Sequence, residues 1–174
     1  MPATYEPIAT TTLSSAAKNI IFSSIPATYT DLRLVILARA DIAGTGTYSN
    51  PGIRFNDDSG TNYSQTYLNG NGSTASSSRD TSLNYHYYQG IARADSPNSF
   101  FSIDIFNYAG STFKTSLAEL SRDLNGSGNV QRHVYLWRST SAINKIDIQY
   151  DVFSGTSQNF ATGTTATLYG IKAF

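Results

Sequence analysis

The run Leu32-Arg33-Leu34-Val35-Ile36-Leu37-Ala38-Arg39 is the most apolar in the chain, and it alternates with a period of two. Leu32, Leu34, Ile36 and Ala38 share one face; Arg33, Val35, Leu37 and Arg39 share the other, as successive side chains of a strand must. This period constrains the fold more than any other feature, because it recurs. Phe100 to Tyr108 repeats it, with Phe101, Ile103 and Ile105 on one side and Ser102, Asp104, Phe106 and Tyr108 on the other. No segment sustains a 3.6-residue apolar period with caps. About nine or ten short strands, with turn signals every ~8–12 residues, predict an all-β chain: an antiparallel β-sandwich, jelly-roll-like.

The stretch Gln131 to Asn144 shows the same grammar at close range. It leaves a Gly/Asn turn (Asn125 to Asn129), carries the only tryptophan, Trp137, and turns at Arg138-Ser139-Thr140-Ser141 before the next apolar run. Trp137 is read as a packing anchor beside that corner, whose hydroxyls bond local backbone, in preference to a sugar-stacking or contact aromatic. The expected core is Leu34, Ile36, Phe101, Ile103, Ile105, Leu136, Ile146, Ile148 and Leu168. Residues 1–15 read as an edge strand or an arm. Nothing splits the chain, so residues 1–174 are expected to form a single domain. Asn69 to Asp80, rich in Gly and Ser, reads as a long polar loop facing outward.

Composition removes several functional classes. Twelve basic and twelve acidic residues cancel, so no nucleic-acid partner is expected. Charged residues make up 14%, against an ordinary ~25%. There is no cysteine, which excludes disulfides, thiolate zinc sites and thiol nucleophiles. Met1 to Glu6 has neither a basic nor an apolar region, so no secretory leader is expected. No apolar run approaches the ~20 residues of a membrane span, so no membrane insertion is expected.

Candidate chemistry is sparse. His86 and His133 lie far apart without nearby carboxylates and read as turn or surface residues rather than metal ligands. No nucleophile elbow, phosphate-binding loop or dinucleotide fingerprint is present. No two carboxylates are compelled to face each other. The chain is therefore expected to be neither an enzyme nor a cofactor binder. Asn56-Asp57-Asp58-Ser59-Gly60 places oxygens at alternating positions with a glycine for the turn, so Asn56 and Asp58 are candidate calcium ligands; the same residues are also simple turn formers. Tyr63, Tyr85, Tyr87 and Tyr88 read as a platform for sugar or, better, as core rim or a subunit interface. Val35, Leu37, Phe106 and Tyr108 are apolar residues on minor strand faces, and complete the candidate contact set.

Several stretches together resemble small virion structural proteins of tailed bacteriophages. They are Phe22 with Ile25-Pro26 and Tyr29-Thr30-Asp31-Leu32-Arg33-Leu34; Arg54 to Ser64; Asp123 to Gly128; Leu136 to Ile143; and Leu168 to Lys172. The resemblance runs in order over nearly the whole chain. It implies a non-enzymatic component of the particle surface, partnered with itself and with other virion proteins. Two placements fit: a tail-fibre or baseplate tip that touches host glycan, or a capsid decoration protein. The virion analogy further implies a homotrimer. A free carbohydrate-binding module is the alternative.

Overall fold

The computed structural model describes residues 4–45, 47–150 and 158–172. Within them the strands are β1 (Tyr5–Thr12), β2 (Asn19–Phe22), β3 (Asp31–Ala38), β4 (Thr47–Tyr48), β5 (Gly52–Phe55), β6 (Tyr63–Gly70) and β7 (Ala75–Leu83). They continue with β8 (His86–Tyr87), β9 (Ile91–Ala92), β10 (Ser99–Ile105), β11 (Lys114–Asp123), β12 (Gly128–Trp137), β13 (Ile146–Gln149) and β14 (Thr165–Ile171). No helix forms among the described residues. The surplus over the expected strands lies partly in β4, β8 and β9, whose two residues are too short to leave a period in the sequence.

Two antiparallel sheets pack face to face as a β-sandwich. The larger has eight strands in the order β1-β14-β3-β10-β11-β12-β6-β7; the smaller has four, in the order β2-β13-β5-β8. A two-stranded ribbon, β4-β9, completes the set. The chain passes repeatedly from one sheet to the other, and the first and last strands pair. Two Thr–Thr hydroxyl contacts, Thr10–Thr167 and Thr12–Thr165, reinforce that pairing.

The alternation of β3 holds residue by residue. Leu32, Leu34, Ile36 and Ala38 are buried, while Leu37 on the opposite face is exposed. Phe101, Ile103 and Ile105 of β10 lie beside them, and Ile146, Ile148, Ile20, Phe22, Ile53 and Phe55 close the core from the smaller sheet. Asn125 and Gly126 make the β11–β12 hairpin. Both take positive φ, 55° and 113°, which the primed hairpin turns require and Asn-Gly tolerates.

Two expectations fail. Leu136 is not in the core: it is half-buried on the outer face, and its neighbour Trp137 takes the inward position. Asn69 to Asp80 is not a long loop. Its ends belong to β6 and β7, which pair from Tyr67–Ser78 to Gly70–Ala75, and only a tight turn joins them. The Asn71 Oδ1 caps that turn by accepting from the backbone N–H of Ser73 and of Thr74. Strand β7 is almost wholly exposed on both faces, so it has no apolar alternation to betray it.

Candidate functional site

The tyrosines proposed as a platform lie inside. Tyr85, Tyr87, Tyr88 and Tyr108 are all buried, so none presents its ring as a contact surface. The segment Tyr85 to Gly90 is strapped against the inner face of β6 and β12. Gln131 holds Gln89 twice, accepting from its N–H at 3.1 Å and donating to its carbonyl at 3.0 Å. Tyr135 donates to the Tyr87 carbonyl (2.9 Å), Tyr88 to the Ser102 carbonyl (3.1 Å), and Tyr87 to Asp80 (2.7 Å). A tyrosine buries a large ring at low cost when its hydroxyl finds an acceptor, and each of these three does. Tyr108, just past the end of β10, turns inward to bond the Pro26 carbonyl.

The two histidines share this interior rather than the surface. His86 stacks on Tyr135 with centroids 4.2 Å apart and meets Tyr63 edge-on at 4.9 Å. His133 stacks on Tyr67 at 5.2 Å and touches Tyr135. Gln131 supports one His133 nitrogen; both His86 nitrogens lack a hydrogen-bond partner among the described residues. Burial, with the neighbouring His133, pushes the His86 pKa down to about 3. Burial pushes His133 down to about 4 against the opposing pull of Asp80. Both rings are therefore neutral packing elements at ordinary pH.

The calcium candidates are occupied by the fold. Asn56 accepts from the N–H of Asn144 and of Lys145 and donates to the Ala142 carbonyl. Asp58 accepts from Trp137 Nε1 at 2.7 Å, from the Gly60 N–H at 2.8 Å and from Asn62. Burial alone raises the Asp58 pKa, but the bonds from Trp137, Asn62 and Gly60 outweigh it and hold the carboxyl below its ordinary value. The turn serves as a lid over Trp137, which is buried as expected of a packing anchor. No group of three or more metal-ligating side chains occurs among the described residues.

What the fold leaves open is the outer face of the larger sheet. The smaller sheet covers the opposite side, so the strand registers arrange the outward residues in rows with none of the described residues layered above them. One row runs Leu37, Phe100, Ser121, Val130, Gly70, Ala75 across β3, β10, β11, β12, β6 and β7. The next runs Val35, Ser102, Glu119, Arg132, Leu68, Ser77, and the third Arg33, Asp104, Leu117, Val134, Thr66, Arg79. Its aliphatic residues are unusually bare: Leu68 is 63% exposed, Val130 62%, Val134 48%, Leu37 46% and Leu117 44%. Ion pairs Glu119–Arg132 and Arg33–Asp104 are set among them.

No family model, curated protein or solved structure matches the chain.

The resemblance to phage virion proteins therefore rests on the sequence stretches alone. Of the contact residues chosen from sequence, Val35 and Leu37 lie on the open face and Phe106 is exposed just beyond the end of β10. Leu68, Val130 and Val134, its barest members, were missed, as was Leu117. Their signal is visible in β12, where Val130, Val134 and Leu136 share one phase while Gln131, His133, Tyr135 and Trp137 share the other.

Proposed function

We propose that this protein is a non-enzymatic structural component of the outer surface of a tailed-phage particle, and that it works by association through the open sheet face. The bare aliphatic residues of that face carry the proposal. A solvated sheet face ordinarily alternates to polar residues, and an apolar patch without a covering layer marks a contact surface. The balanced charge fits a protein partner rather than a polyanion. Assignment to a phage particle draws on the sequence resemblance. Tail tip and capsid decoration are both compatible with a sandwich of this size. The carbohydrate-module alternative loses support, because the tyrosines it would stack on sugar are interior.

Electron microscopy of intact virions with a gold-labelled antibody to this chain is the test. Label at a fixed place on the head or tail is expected. Particles that carry no label, from lysates in which the protein is abundant, would overturn the assignment.

A further inference from the structure

We propose that the outer face of the larger sheet docks a second copy of this chain, face to face, about a two-fold axis running along the strands between β11 and β12. The inference rests on the association reading and names its partner. The six strands β3-β10-β11 and β12-β6-β7 lie symmetrically on either side of that line. A two-fold axis there lays β11 over the partner's β12, and each row over itself in reverse.

The registers then make the surface self-complementary. Leu117 and Val134, opposite each other across β11 and β12, meet the partner's Val134 and the partner's Leu117. Glu119 and Arg132, already paired within one chain, meet the partner's Arg132 and the partner's Glu119, so four charges alternate in sign. Phe100 falls over the partner's Gly70, a large residue against a missing side chain. An axis turned by a right angle, along the rows, would set Arg132 against the partner's Arg132 and is disfavoured. One like-charge meeting remains, Arg33 with the partner's Arg79 at the rim, where Asp104 holds Arg33 at 3.4 Å.

The area suffices. Six strands at ~4.8 Å and three to four rows at ~6.8 Å give roughly 600–800 Å² per copy, close to the ~800 Å² per partner of a stable complex. Aligned sheets pack at ~10 Å with a ~30° rotation that their twist supplies. A contact of this kind is isologous and closes as a dimer, in place of the trimer expected from the virion analogy.

Sedimentation equilibrium of the purified full chain tests this. The wild type should be a dimer at micromolar concentration. Val134→Lys, Arg132→Glu and Glu119→Arg, all at outward positions, should each weaken association by at least about 100-fold, with unchanged far-ultraviolet dichroism. The decisive arm mixes the last two variants: each alone carries like charges across the axis, whereas together they pair opposite charges and should form a heterodimer. A monomeric wild type, a Val134→Lys dimer as tight as wild type, or two charge variants that stay monomeric when mixed would each overturn the proposal. A monomer that still labels virions would leave the particle assignment standing and remove only the dimer.

Discussion

Strand β12 carries both faces of the larger sheet in one ten-residue run, and the two differ against hydropathy. Its buried residues are Gln131, His133, Tyr135 and Trp137; its outward ones are Val130, Arg132, Val134 and Leu136. The inward face is the more polar by composition. It is buried because each large ring adds contact area and nearly every polar handle is met: Tyr135 by the Tyr87 carbonyl, Trp137 by Asp58, Gln131 by Gln89. A buried polar group with a partner costs little, and a large aromatic ring gains more from burial than a valine does. The aliphatic phase of a strand need not, therefore, be its core phase. Where aromatic residues fill the interior, the aliphatics are released to an external contact.

The largest expected effect strikes the inward face through pH. His86 and His133 are held to about 3 and about 4, below their ordinary 6.5. The unfolded chain takes up protons as pH falls below about 6.5, while the folded chain resists until near those lower values. Stability should therefore be flat above that point on account of these groups. Below it, each histidine removes about 1.4 kcal/mol per pH unit until its own folded value is reached. Urea unfolding between pH 7.5 and 4.5 reads the slope, and His86→Phe should roughly halve it. A stability profile without that slope would mean that the ring cluster is open to water, and the contrast between the faces would fail.

A core truncation sharpens the same contrast at a smaller scale. Ile103→Ala removes a buried side chain from the middle of β10 and should cost about 2–5 kcal/mol, read as a lower denaturation midpoint with unchanged slope. The smallest effect belongs outside. Leu117→Thr, measured at concentrations too low for association, should change folding stability by no more than about 0.5 kcal/mol. A loss as large as that of Ile103→Ala would place Leu117 in the core of the monomer and break the division of labour.

The sandwich was legible wherever a strand is covered on one face by aliphatic residues. Leu34, Ile36, Phe101, Ile103, Ile105, Ile146, Ile148 and Leu168 all stand in the core where alternation places them. Leu136 was misplaced because alternation gives two phases and hydropathy picks the wrong one. Strand β7 was hidden because its Ser and Thr residues face solvent on both sides. The roles of Tyr85, Tyr87 and Tyr88 were hidden because a tyrosine suits an interior and an interface equally, and only the acceptors near its hydroxyl decide. Those acceptors lie on other strands, as does the Trp137 that occupies Asp58, so no local window reports them.

Strand β14 sits between β1 and β3, and its Leu168 and Ala166 lie beside Leu34 and Ile36. Thr10 and Thr167, 157 positions apart, touch across one of its borders. On a ribosome this order has a temporal meaning. From the emergence of β3 until β14 follows, the most apolar strand has a bare edge and β1 has no neighbour. Long-range pairing of this kind is slow, and unpaired edges recruit other nascent chains. The seam is therefore the last to be sewn, and synthesis that stalls before Thr165 leaves a polypeptide that is sticky along one border rather than merely incomplete.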